Sequence, residues 1–548
     1  MRVAAVEMYR EADRVTTTED WSDARAALAG GRWGDAAERF SALAAATDDP
    51  EAHEGLAQAA WWLDDADTAL DAREAAYRAF RAAGRDQGAA GAAATLGYDS
   101  MLFGRGVTVG RGWLARASDL LVDLGDSRGA GWLEVRRAEV ALNVDHDAGA
   151  ALLSARRAQD VGRAIDDDDL VIVGQALAGL SQVRLGAVGD GMTLLESSAA
   201  AATAGDVADL MWVGKICCWL ISACQLTRDL VGASAWCARV EEICERRDLT
   251  PLFAVCQTQY AAVLLAGGHA EEAESTLVDV VTRLGRSHRV SRRDAVAQLG
   301  ELRRRQGRLA EAEDLLRQAG DQPAAVTSLA QLRLDGEDPE RARTLTLELL
   351  RLLPADQPVE RVDALAVAVA ACVATGDLAS ARHAADELRS ISQRLDTPAM
   401  VAHAEAAAAR LAELDTDAPL AAVDRWTDAV RHFRVAGLAF DESDARLRLA
   451  VALRRTGDEA AAEDHERQAW STLAPLVAGP HREPGSPLTQ RQGQVLRLLA
   501  QGLSNHEIAE QLHLSEHTVH RHLANIYTTI GVGSRAAAAA YAVGHGLG

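Results

Sequence analysis

Near its C-terminal end the chain places apolar residues at Val519, Leu523, Ile526 and Ile530, a spacing that lays one stripe along a helix. At about 100° per residue, the positions opposite that stripe are His517, Arg521, Ala524 and Thr528, with His520 on its flank. This is the face the helix can offer a partner. Ser515 reads as its N-cap, Glu516 and Thr518 occupy its first turn, and Gly531 supplies a stop. Upstream, Thr489 with Gln492 and Ser504 with Glu507 read as capping boxes that open helices through "QRQGQVLRLLAQ" and "NHEIAEQLHL", the first ending at Gly502. A fourth helix, "RAAAAAYAVGHGL", follows Ser534. Short helices with such brief breaks predict a helix-turn-helix unit in which the second helix braces the third.

The preceding residues have another rhythm. They are rich in alanine, leucine and arginine, poor in β-branched runs, and broken at short intervals by Gly or Asp. The breaks share a local form that ends in alanine five residues on: "GRWGDA" at 31, "DDADTA" at 64, "GHAEEA" at 268, "GRLAEA" at 307, "GDLASA" at 376 and "GDEAAA" at 457. Closing alanines Ala36 and Ala69 are 33 apart, Ala273 and Ala312 are 39 apart, and Ala381 and Ala462, 81 apart, leave room for two repeats. This resembles degenerate tetratricopeptide repeats, whose small residues let paired helices pack closely at a period of about 34. The expected fold is therefore all-α: a tetratricopeptide-like helical repeat superhelix over 1–478, a flexible tether "GPHREPGSP" over 479–487, and a four-helix domain over 488–548.

The C-terminal residues also resemble the LuxR/FixJ-type helix-turn-helix domain of bacterial transcription regulators. The resemblance runs through "LTQRQGQVLRLLAQGLSNHEIAEQLHLSEHTVHRHLANIYTTIGVGSR", with Gly502, Ser504, Glu507, Ile508, Ala509, Ser515, Thr518, Val519, His522, Ile526 and Gly531 at the family's usual positions. It implies that the helix from Ser515 enters the major groove of double-stranded DNA and that the last helix pairs two domains as a homodimer. Docked so, Arg521 is the candidate base reader, because a guanidinium can bind guanine O6 and N7 together. Ser515, His517, Thr518 and the helix N-terminus would hold phosphates; His520 could do either; Ala524 shares the face, and Asn525 is a further candidate along the helix. Residues 423–475 look like the last repeats before the DNA-binding domain of large LuxR-type regulators. The departures are His506, His517 and His520 at positions commonly basic in the family, and Thr528 with Thr529 in place of a basic pair.

Charge sharpens that picture. The formal net charge is -23, yet residues 486–548 hold four arginines against three glutamates, about +1, which leaves -24 for residues 1–485. Such an acidic array repels DNA. Imidazole titrates near pH 6.5, so the six histidines of the last segment predict affinity that falls as pH rises if they meet phosphate, and no such dependence if they are neutral hydrogen-bond donors or surface residues. His517, His520 and His522 converge poorly as metal ligands from one helix. "IDDDDL" at 165–170 reads as a loop.

The sole lysine, Lys215 in "MWVGKICC", has no G-x-x-x-x-G-K-[ST] around it, so no P-loop is expected. No nucleophile, acid and base constellation stands out either; an enzyme is not expected, nor a cofactor or metal. Six of the seven cysteines fall within residues 217–256 without a C-x-x-C, and read as buried small hydrophobes of a reduced, cytoplasmic chain. No apolar segment of 18 or more residues is read, hence no membrane partner. The tryptophans lie in the array, as repeat core or as the lining of a concave surface for a peptide, protein or small ligand. The function expected is a transcription regulator with a partner- or ligand-responsive array; the alternative is a repeat scaffold whose terminal domain binds DNA weakly.

Overall fold

The computed structural model describes residues 18–247, 250–286, 291–415, 417–477, 488, 490–500, 503–512, 514, 516–530, 538 and 542. Among these no strand occurs, and the chain runs as a succession of helices joined by short turns, many of them packed on the next helix in sequence. The fold is all-α, tetratricopeptide-like in the array and helix-turn-helix at the C-terminal end. The tether at 479–487 lies outside the described residues.

The predicted breaks are where the backbone turns. Gly31, Asp64, Gly268, Gly307, Gly376 and Gly457 all have positive φ, between 59° and 90°, the left-handed conformation that ends a helix. The alanines five residues on, Ala36, Ala69, Ala273, Ala312, Ala381 and Ala462, are all buried. A small residue is needed there because the next helix crosses close by. Where the sequence has Gly191 at the same offset from Gly186, an added Cβ would lie 2.6 Å from the carbonyl oxygen of Gly179. His146, Arg228 and Glu337 also take positive φ, with Ala151, Ala233 and Ala342 buried five residues later. Sequence reasoning misses these breaks because no Gly or Asp marks their turning residue.

The chain divides into two compact units, one of residues 1–260, 279–292 and 356–359, the other of 261–278, 293–355 and 360–548. In the first, the helices Asp86–Leu102, Arg128–Val140, Asp168–Arg184 and Leu210–Thr227 touch one another as well as the helices between them. They form an inner layer whose helices start 42, 40 and 42 residues apart, a longer period than the sequence spacing suggested. Burial separates the layers. An outer helix such as Ala148–Ala164 buries one stripe, Ala148, Ala151, Ala155, Ala158 and Gly162, whereas Leu210–Thr227 buries every residue from Trp212 to Ile221. The latter helix corrects one expectation: by length and composition it is apolar enough to cross a membrane, with mean hydropathy 1.4 over 18 residues, yet 61% of it is buried inside the fold. It is a core helix.

The inner layer also holds charge. The Lys215 ammonium donates to Glu139 Oε1, and Arg136 Nη1 donates to Glu139 Oε2 at 2.7 Å. Both cations lie over the rings of Tyr98 and Trp212, Lys215 Nζ at 4.4 and 5.0 Å and Arg136 Cζ at 5.1 and 4.8 Å. Burial pushes the Lys215 ammonium down to about 8, with Glu139 pulling the other way. Burial would raise the Glu139 carboxyl, but Lys215 and Arg136 beside it hold it below its usual range. Three helices distant in sequence are thus tied at one point.

Aspartates open several of the helices: Asp49, Asp65, Asp147, Asp167, Asp338 and Asp377 each accept a backbone N–H of the following first turn. Asp167 belongs to the "IDDDDL" segment, so that loop's acidity goes partly to opening the Asp168–Arg184 helix.

Candidate nucleic-acid interface

The C-terminal domain is built from the helices Gln490–Ala500, Asn505–Leu512 and Glu516–Ile530. Its core joins Leu488, Val495, Leu496 and Leu499 to Ile508 and Ala509, and to Val519, Leu523 and Ile526 from the predicted stripe. Ala538 and Ala542, in the stretch read as a fourth helix, complete it. The helix Glu516–Ile530 is thereby held with the face opposite its stripe turned away from the core. It also touches the last array helix, Glu459–Val477.

The second capping box is formed as its residues imply. Glu507 N–H donates to Ser504 Oγ at 3.3 Å, while Ser504 N–H donates to Glu507 Oε2 at 2.6 Å. The Ser504 N–H and hydroxyl, both donating to Glu507 Oε2, hold the Glu507 carboxyl below its usual range. Arg491 Nη2 donates to the Leu512 carbonyl at 2.6 Å, closing the end of the bracing helix, and Arg497 Nε donates to the Gly493 carbonyl at 3.2 Å. Thr489, Gly502, Gly531 and Ser534 lie outside the described residues.

The histidines that replace basic residues are placed unequally. His506 Nδ1 lies 2.7 Å from Glu516 Oε1 and its Nε2 3.5 Å from Glu510 Oε1, so it bridges the second and third helices. His520 is exposed, with Asn505 Nδ2 3.3 Å from its Nε2. Thr518 is half-buried at the helix start. His517, Arg521 and Ala524 are on the backbone of the third helix at positions opposite the stripe, their side chains outside the described residues, and Ser515 lies outside them altogether. Asn525 departs from expectation. It is 5% exposed, with Oδ1 lacking a hydrogen-bond partner, so it is withdrawn from the surface that would meet DNA.

A short helix braced across a longer one whose apolar stripe lines the core defines a helix-turn-helix protein. The family described as "Bacterial regulatory proteins, luxR family" matches residues 486–542, so the C-terminal segment is a domain of that family. Over 61 residues the chain is 49% identical to the Fimbriae Z protein of Salmonella typhimurium, covering 11% of this chain and 29% of that one. Over 60 residues it is 48% identical to the nitrate/nitrite response regulator protein NarP of Escherichia coli and 45% identical to the transcriptional regulatory protein LnrK of Bacillus subtilis, in each case 11% of this chain, and 28% and 27% of theirs. The chain thus spans less than a third of the length of these curated relatives. Among solved structures it is similar to a Rap protein complexed with competence and sporulation factor, at 11% identity and a TM-score of 0.40, covering 71% of this chain and 98% of that one; so loose a likeness carries no argument.

Proposed function

We propose that the protein is a DNA-binding transcription regulator that reads a major-groove site through the Glu516–Ile530 helix, with the repeat array as a partner- or ligand-responsive regulatory region. The observation that carries this reading is the coincidence of the family match at 486–542 with a helix whose stripe is buried and whose opposite face holds Arg521, His517 and Ala524. Arg521 reads a guanine edge; Thr518, His517 and Ser515 hold phosphates; exposed His520 reaches either. Asn525, being buried, positions the helix instead. The contact between Glu459–Val477 and the reading helix supports an array that governs access to DNA. The chain acts as a homodimer on a two-fold site, without cofactor or catalysis.

Selection of bound sequences from random DNA by the full chain is the test. An inverted-repeat site is expected, against which Arg521→Ala loses about 1–3 kcal/mol, roughly 5- to 150-fold, with little change on unrelated DNA. Thr518→Ala weakens both. Equal affinity of wild type and Arg521→Ala for the selected site would sink that role. Removing residues 1–478 should change affinity at fixed salt, and an unchanged value would strip the array of its regulatory part.

A further inference from the structure

Buried cysteines in a reduced chain are ordinarily plain small hydrophobes, and Cys224 and Cys372 fit that description, their thiols pushed up by burial to about 12 and about 11. Cys218 and Cys256 do not. They are joined as a disulfide, 38 residues apart in sequence and with Cα atoms 5.3 Å apart, inside the separation a disulfide spans without moving backbone. The bond links the inner helix Leu210–Thr227 to the helix Thr250–Ala266.

Its surroundings give it leverage. Cys218 and Cys256 belong to one buried cluster with Cys217, Cys237, Ile221 and Val240, and the same cluster contains Trp33, Trp61, Trp62 and Phe103 from the first repeats. Trp33 stacks on Trp62 at 4.4 Å. Residues from 33–103 and from 217–256 therefore contribute to a single buried cluster. A repeat array distributes its shape over small rotations between neighbouring repeats. A covalent bond across one such step, inside this buried cluster, restrains that step. Among the described residues no group of three or more metal-ligating side chains is assembled.

We propose that Cys218 and Cys256 form a reversible thiol–disulfide switch that staples these two helices and sets how firmly the buried cluster around them holds together. The oxidant is a low-molecular-weight disulfide, R–S–S–R. One cysteine thiolate attacks it, forming a mixed disulfide and releasing R–S⁻; the second thiolate then attacks the protein sulfur of that bond, forming Cys218–Cys256 and releasing the second R–S⁻. The two protons lost by the cysteines end on the two released thiols, and two electrons pass from the cysteines to the oxidant. With exposures of 7% and 3%, both sulfurs are reached only when the helix pair opens, so exchange is gated by that motion. The choice of oxidant rests on the regulator reading: a chain that works on bacterial DNA works among thiols, where disulfides are transient or sensing.

The test uses the full chain equilibrated with glutathione over a range of oxidised-to-reduced ratios, then quenched by alkylation and mapped by peptide mass. A single cross-linked species, Cys218 to Cys256, should appear with rising oxidation and vanish with dithiothreitol, while Cys224 and Cys372 remain alkylated. The oxidised form should melt roughly 5–10 °C above the reduced form in the first unit. Cys218→Ala and Cys256→Ala should each melt with the reduced wild type and ignore the oxidant, whereas Cys237→Ala keeps the response. A chain that never forms this bond, one that forms other pairs as readily, or one whose two redox forms melt together overturns the proposal. None of these readouts involves DNA, so a failure of the regulator reading leaves them standing, and the reverse also holds.

Discussion

The inner layer of the first unit and the C-terminal domain are both helical, but they spend charge in opposite ways. In the inner layer Lys215, Arg136 and Glu139 are sequestered together under Tyr98 and Trp212, where the charges have no access to a ligand and hold helices in register. In the C-terminal domain few cations exist, and Arg491 and Arg497 already donate to backbone carbonyls. Charge present in the composition is therefore not charge available to a partner. On the proposed reading, the array's acidity would keep it off DNA, and the domain's binding would depend on a few positions rather than on bulk attraction.

This contrast can be broken from either side. The largest effect is expected from Glu139→Gln, which leaves the Lys215 and Arg136 cations buried with a neutral partner; the first unit should lose about 3–5 kcal/mol, read by thermal unfolding and by hydrogen exchange in Arg128–Val140. A loss below about 1 kcal/mol would mean that water reaches the site and that the network is not buried in solution.

Next comes helix approach. A Cβ on Gly110 would stand 2.5 Å from the Gly97 carbonyl oxygen, whereas one on Gly91 meets nothing within 4 Å. Gly110→Ala should destabilise by about 1–3 kcal/mol, and Gly91→Ala, inside Asp86–Leu102, should stabilise by about 0.5–1 kcal/mol. Equal effects would contradict the close crossing.

In the C-terminal domain the expected effects are smaller and local. Ser504→Ala removes one half of the capping box and should weaken the domain by about 1 kcal/mol, visible as faster exchange in Asn505–Leu512 with the array unchanged. The smallest is a pH effect. The folded Glu507 carboxyl titrates below its ordinary value of 4.5, so its contribution is complete above that pH and is lost as acidification carries it through the depressed folded value. The same exchange probe should rise on acidification in the wild type and show less of that rise in Glu507→Gln; identical profiles would dismiss the box as an electrostatic element.

The two regions also differ in how much of each is legible in the amino-acid sequence. Caps and stripes are local, so Ser504 with Glu507, and Val519 with Leu523 and Ile526, are legible at the level of single residues. So are the six breaks ending in Ala36, Ala69, Ala273, Ala312, Ala381 and Ala462. The breaks at His146, Arg228 and Glu337 are not, because a left-handed turn tolerates residues that announce nothing. The place of Asn525 on the helix flank makes it look like a surface residue, yet its side chain is buried. Lys215 carries no motif, and the 217–256 cysteines carry the spacing of separate hydrophobes; neither pattern names a partner.

By itself the sequence determined the helical class, the six turns that Gly or Asp marks, the helix-turn-helix at the C-terminal end and the stripe its third helix buries, since each depends on residues within about one or two helical turns. Only the tertiary structure decided the 40 to 42-residue spacing of the inner helices, the meeting of Lys215 with Glu139 across 76 residues, the pairing of Cys218 with Cys256 and the withdrawal of Asn525. Those depend on which helices become neighbours in space. In an array where alanine and glycine recur at the helix crossings, the sequence says that helices pack closely but carries little information about where each one packs.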